Sequence, residues 1–142
     1  MKKIIVKILG REHLDQIVGL TQFLNPKVSI SELNARQINM FDFDNYICFG
    51  LFENDTLIGL SGGWIMVRLY SGKQIELDSF IINPELQSKG YGKTFIREIE
   101  LWAISKDCKT IELNTYVNNS RSHKFYFSEG FHIAGYHFQK QL

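Results

Sequence analysis

The chain has 142 residues, 44% of them hydrophobic and 22% charged, which is enough apolar material to close one core and sets the expectation of a single soluble domain over 1–142. A formal net charge of +1 excludes a global electrostatic pull toward nucleic acid or acidic membranes, so binding has to be local. Cys48 and Cys108 match neither a metal site nor a CxxC redox pair, and no stretch approaches the ~20 apolar residues of a membrane span. The opening "MKKIIVKILGREHLD" is basic, but charge interrupts its apolar run too early for a secretion signal, and a reducing cytoplasm is the expected compartment.

"KIIVKIL" has the β-branched content of an opening strand. From Glu12, the residues Leu14, Ile17, Val18, Leu20 and Phe23 recur at helical spacing until Asn25 and Pro26. A second helix is expected to start with Ser31 as N-cap and to carry Leu33, Ile38 and Met40 inward. "YICFGLFEN", "TLIGLSGGWIMVRLY" and "KQIELDSFII" then read as three strands of an antiparallel meander, turning at "END" and "YSGK". Phe95, Ile96, Ile99, Trp102 and Ala103 mark one face of a helix from about 93 to 106. "TIELNTYV" is a further strand, "SRSHKFYFSEG" a short helix ended by Gly130, and "FHIAGYHFQKQL" closes with one or two strands. The sum is α+β, a mixed sheet with helices on both faces.

The turn "ELQSKGYGKT" between the third meander strand and the helix carries the strongest chemical signal. A dinucleotide fingerprint would need a third glycine where Phe95 stands. The phosphate loop of nucleoside triphosphatases ends in "GKT", but its first glycine is replaced by Gln87, and no acid-tipped strand follows to hold magnesium. What remains is Q-x-x-G-x-G over Gln87, Ser88, Lys89, Gly90, Tyr91 and Gly92, with Lys93 after it. Helix-start N–H groups point outward unpaired and the helix dipole adds positive charge, so such a turn suits a pyrophosphate; an ordinary strand-to-helix turn with solvated lysines is the competing reading.

"IINPELQSKGYGKTFIREIE" resembles the strand, Q/R-x-x-G-x-G/A loop and helix of the GNAT superfamily, the acyl-coenzyme A-dependent N-acetyltransferases. "NNSRSHKFYFSEGF" resembles that family's second segment, with Asn119, Ser122, Tyr126, Gly130 and Phe131 in place, and the likeness covers essentially the whole chain. The resemblance implies one N-acetyltransferase domain with acetyl-CoA as acetyl donor. It implies that the strand ending near Ile82 and the strand "TIELNTYV" are parallel and splay apart around the pantetheine arm. Backbone groups of Phe80, Ile81 and Ile82 would pair with that arm and polarise the thioester carbonyl.

The implied reaction is direct attack of an amine on the thioester in a ternary complex. An alkylammonium with a pKa near ~10 has to lose a proton before it can attack, and the thiolate leaves more easily once protonated. The resemblance assigns the acid role to Tyr126, which among Phe125, Phe127 and Phe131 also reads as a core tyrosine. For the base it points to Glu76 or Asp78, two apart on one strand face, while other family members use water and backbone carbonyls. Asn119 would bond the pantetheine or hold its loop, and Asn114 could serve similarly.

The acceptor pocket, by the same resemblance, draws on residues 23–43 and 132–138. Asp42 and Asp44, with Glu76 and Asp78, would favour a cationic small molecule or peptide amine, or Asp42 and Asp44 form a solvated turn. His123, His132 and His137 match no common metal-ligand spacing, and the aromatics from Phe125 to Phe138 alternate as packing strands do, without the basic residues of a nucleic-acid platform. A homodimer is an option the resemblance leaves open, and an acyl-CoA sensor without turnover is the competing function.

Overall fold

The computed structural model describes residues 2–142, which divide into two compact units, one reaching to Glu112 and one of Leu113–Leu142. In the first, β1 (Ile4–Ile8) leads through a short 3-10 turn into α1 (Leu14–Leu24) and α2 (Ile30–Phe41). The meander follows as β2 (Tyr46–Glu53), β3 (Thr56–Arg68) and β4 (Gly72–Ile82), then α3 (Tyr91–Ser105) and β5 (Thr110–Leu113). The sheet order is β1-β2-β3-β4-β5, antiparallel from β1 to β4 and parallel between β4 and β5, which α3 connects as a crossover.

The meander turns fall where the sequence places them. Asn54 takes a left-handed φ of 55° between β2 and β3, and Gly72 one of 78° at the start of β4. On one side of the sheet, Ile17 and Leu20 of α1 pack with Cys48, Phe52, Leu60 and Ile81. On the other, Phe95, Ile96, Ile99 and Ala103 of α3 are buried, and Trp102 meets Phe49 edge-on with centroids 5.1 Å apart.

Helix α2 differs from its expected start. Its N-cap is Ser29, whose hydroxyl accepts from Glu32 N–H at 3.1 Å, and Ser31 lies inside the first turn. Ser29 has a glutamate three residues on and Ser31 an asparagine, so only Ser29 fits the S-x-x-E capping pattern. The inner face therefore runs through Leu33 and Gln37, and Ile38 is exposed.

The second unit contains α4 (Ser120–Ser128), capped by Asn119, whose side-chain oxygen accepts from Ser122 N–H at 3.2 Å. At its other end Gly130 has φ 92°, and the bonds Phe131 N–H to Tyr126 C=O (3.0 Å) and Gly130 N–H to Phe127 C=O (3.2 Å) form the double closure that a left-handed residue after a helix permits. Residues 131–142, expected to close as strands, are assigned no strand. Alternation defines a face but supplies no partner, and this unit taken alone offers no strand edge among its described residues for pairing.

Replacing Ser29 by alanine should cost about 1 kcal/mol, whereas Ser31→Ala should stay within about 0.5 kcal/mol. Urea unfolding of the two variants separates them; equal losses would return the cap to Ser31.

Candidate functional site

The turn after β4 is built from local bonds. Asn83 Oδ1 accepts from Glu85 N–H at 3.1 Å and opens a 3-10 turn at Pro84–Leu86, and Gln87 Nε2 then donates back to Ile82 C=O at 3.3 Å. Ser88 and Gly90 both have left-handed φ, 65° and 85°. Gly90 is the N-cap of α3, and a Cβ there would meet nothing within 4 Å, so its backbone angle and not crowding calls for glycine.

The helix's first closing bond is Thr94 N–H to Gly90 C=O at 3.2 Å. The N–H groups of Tyr91, Gly92 and Lys93 consequently have no acceptor inside the helix, and no acidic side chain occupies the first turn. Lys89 and Lys93 are exposed beside them. The arrangement is a row of donors at the positive end of a helix dipole, a feature that favours an anion.

Strand β4 supplies the second component. Gly62 on β3 faces Asp78 and Leu60 faces Ile81, so Ser79 and Phe80 together oppose the single residue Ser61. This is a β-bulge, with Ser79 at φ 58°, and it breaks the pairing just before Phe80, Ile81 and Ile82. The parallel neighbour β5 has 4 residues against the 11 of β4, and Lys109 N–H bonds Lys73 C=O at 2.7 Å at the strand's opposite end. Entering there, β5 runs beside the first part of β4, and Phe80 to Ile82 lie beyond the bulge at the end that leads into the turn.

The register also places side chains sequence reasoning treated separately on one face. Tyr46, Trp64 and Glu76 lie in one cross-strand row, and Cys48, Gly62 and Asp78 in the next. Trp64 Nε1 donates to Asp78 Oδ2 at 3.4 Å, while Ser79 Oγ donates to Asp78 Oδ1 at 3.1 Å. Tyr46 stacks obliquely on Trp64 at 4.7 Å, and Phe43 meets Trp64 edge-on at 5.6 Å. Gln37 Nε2 of α2 donates to Tyr46 Oη at 2.9 Å. Burial drives the Tyr46 phenol pKa upward and pushes the Cys48 thiol up to about 12, so both stay protonated at neutral pH.

The aromatic side of this face, Phe43, Tyr46 and Trp64, went unread in the sequence. The signal was present: Trp64 and Gly62 share a parity on β3, opposite Glu76 and Asp78 in a simple hairpin count. Asp42 instead pairs with Arg11 of the turn before α1, consistent with a charge used at the surface.

In the second unit Tyr126 sits between Phe125 and Phe131, with ring centroids 5.2 and 5.5 Å away. Burial alone pushes its phenol up to about 12. Asn119 spends its side-chain oxygen on the α4 cap, and His123 Nε2 lies 2.8 Å from the Tyr116 carbonyl. The loop before α4 is thus held by its own side chains.

The sequence profile of the Acetyltransferase (GNAT) family matches residues 14–131, and the chain belongs to that family. It is an N-acetyltransferase that takes its acetyl group from acetyl-CoA. The uncharacterized N-acetyltransferase YhdJ of Bacillus subtilis is 28% identical over 100 residues, 70% of either chain. Among solved structures, aminoglycoside N-acetyltransferase AAC(6')-Iy in complex with CoA matches with a TM-score of 0.86 at 18% identity, covering 100% of this chain and 96% of that one. Aminoglycoside 6'-N-acetyltransferase AAC(6')-Ih of Acinetobacter baumannii matches with a TM-score of 0.80 at 16% identity over 99% of both. These likenesses establish the fold. Among the described residues, no helix is long and apolar enough to cross a membrane.

A Cβ on Gly62 would stand 3.0 Å from Tyr46 Oη and 3.1 Å from the Asp78 carbonyl. Gly62→Val should therefore lower stability by about 1–3 kcal/mol, because neither the Gln37-held phenol nor the sheet backbone can retreat freely. Thermal unfolding checks this, and an unchanged midpoint would show that the face repacks without strain.

Proposed function

We propose that the chain moves the acetyl group of acetyl-CoA directly to a primary amine of a small molecule or peptide, both substrates being bound together, within one catalytic domain. The observation that carries this reading is the row of helix-start N–H groups at Tyr91, Gly92 and Lys93 that follows β4. When bound, the coenzyme supplies an activated thioester; everything else is asked of the chain.

Gln87, Ser88, Lys89, Gly90, Tyr91, Gly92 and Lys93 would hold the pyrophosphate through backbone N–H groups and lysine charge. The backbone of Phe80, Ile81 and Ile82 would pair with the pantetheine arm as an added strand, and a backbone N–H there would stabilise negative charge developing on the acetyl oxygen. Glu76, directly or through water, would take the proton of the incoming ammonium. Asp78, already bonded to Trp64 and Ser79, is better placed to attract a cation than to move a proton. Tyr126 would return a proton to the departing sulphur, and its raised pKa keeps that proton in place at any physiological pH. Asn119 would serve the coenzyme by fixing the loop before α4.

Aromatic rings beside carboxylates suit a cationic acceptor, since a ring face and a carboxylate both attract ammonium. The named activities of AAC(6')-Iy and AAC(6')-Ih, on multiply charged aminoglycosides, agree with that class. Two free cysteines, Cys48 and Cys108, agree with action in a reducing cytoplasm.

Two tests follow from these roles. Gly92→Glu places a carboxylate in the first turn of α3, where the helix dipole tolerates or favours it, so stability should hold while acetyl-CoA affinity falls at least about 100-fold; unchanged affinity would remove the pyrophosphate assignment. With an acceptor found by thiol release, Tyr126→Phe should lower kcat about 10²-fold and leave the coenzyme dissociation constant within about threefold. Because a phenol with a raised pKa keeps its proton until the pH passes that value, the wild-type rate should show no alkaline decline below about pH 10. An alkaline limb below that point which vanishes in Tyr126→Phe would contradict the raised pKa, and full activity of Tyr126→Phe would contradict the acid role.

A further inference from the structure

We propose that Glu53, at the end of β2, is a positioning residue for the coenzyme: by holding the Tyr91 phenol it orders the donor turn before the anion arrives. This rests on the assignment of that turn to the pyrophosphate.

A turn that binds an anion through its backbone must hold several N–H groups in one direction, and affinity falls if that order has to be imposed on binding. This turn has two left-handed residues, Ser88 and Gly90, and core packing of α3 begins only at Phe95. Residues 88–94 precede that anchorage, and Lys89, Gly90, Lys93 and Thr94 are all exposed. Two side-chain tethers hold the donor turn. Before the donors, Gln87 bonds the end of β4 at Ile82 C=O. At the first of them, the Tyr91 hydroxyl donates to Glu53 Oε2, across a separation of 38 residues.

Glu53 is well suited to be the fixed end. It sits in register between Ile4 of β1 and Thr56 of β3, and its side chain is only 20% exposed. Lys2 Nζ lies 3.6 Å from the same carboxylate oxygen. That ammonium offsets a negative charge that would otherwise oppose an anion nearby. Tyr91 is the first residue of α3, so its side chain reaches back to the sheet while its N–H group belongs to the donor row. A phenylalanine would keep the ring and lose the tether.

Calorimetric titration with acetyl-CoA, paired with thermal unfolding of the free protein, tests the idea on Tyr91→Phe, Glu53→Ala, Glu53→Gln and Gly92→Glu. The tether predicts that Tyr91→Phe and Glu53→Ala weaken acetyl-CoA about three- to tenfold, the range expected for one lost hydrogen bond, with unfolding midpoints unchanged. Glu53→Gln, whose amide oxygen still accepts from the phenol, should recover most of the affinity. Unchanged affinity in Tyr91→Phe overturns the proposal, and so does a loss of affinity matched by a lowered midpoint and not rescued by glutamine, which would mark an ordinary structural contact. Gly92→Glu keeps the two assignments apart. If it abolishes binding while Tyr91→Phe does nothing, only the tether falls; if it too leaves binding intact, the pyrophosphate reading falls with it.

Discussion

Every α-helix begins with N–H groups that its own hydrogen bonds cannot satisfy, and in this chain that deficit is where the sheet and the sequence converge. The first internal bond of α3 closes at Thr94, so three donors precede it, with no acid in the first turn to claim them. Glycines at 90 and 92 keep side chains away from those donors, and Lys89 and Lys93 add charge at their margin. The meander, the 3-10 turn and the packing of Phe95, Ile96 and Ile99 all serve to aim that helix start.

Strand β4 runs from the candidate carboxylates to the donor row. Its first half is paired on both edges and holds Glu76 opposite Trp64; its second half, past the bulge at Ser79, keeps its β3 partner but outruns β5. One strand thus carries the two carboxylates on the α1 and α2 side and then leads into the donor turn. Phe80 marks the change, stacking on Phe95 of α3 at 5.3 Å. The bulge separates these tasks without an extra element, and it places a serine at left-handed φ, a conformation uncommon outside glycine and asparagine.

What the sequence made legible was local. The Q-x-x-G-x-G turn, the meander, the α3 face and the Gly130 closure each depend on residues a few positions apart, and the structure keeps them. The start of α2 was readable too, since Ser29 with Glu32 fits the capping pattern that Ser31 lacks. Contacts that depend on register were harder. The pairing of Trp64 with Asp78 requires knowing how β3 and β4 align around a bulge, and the Glu53 to Tyr91 bond joins a hairpin end to a helix start that no periodicity relates. The alternation in 131–142 was over-read for the opposite reason, because a pattern specifies a face and not the edge that must accept it.

The most direct test of the account is calorimetric titration of the purified protein with acetyl-CoA, run beside ATP with magnesium. The donor row predicts a dissociation constant in the micromolar range, about −8 kcal/mol, for acetyl-CoA and no heat from the nucleotide. Magnesium-dependent binding of ATP without binding of acetyl-CoA would make the "GKT" ending a phosphate loop and would contradict the site described for this family member.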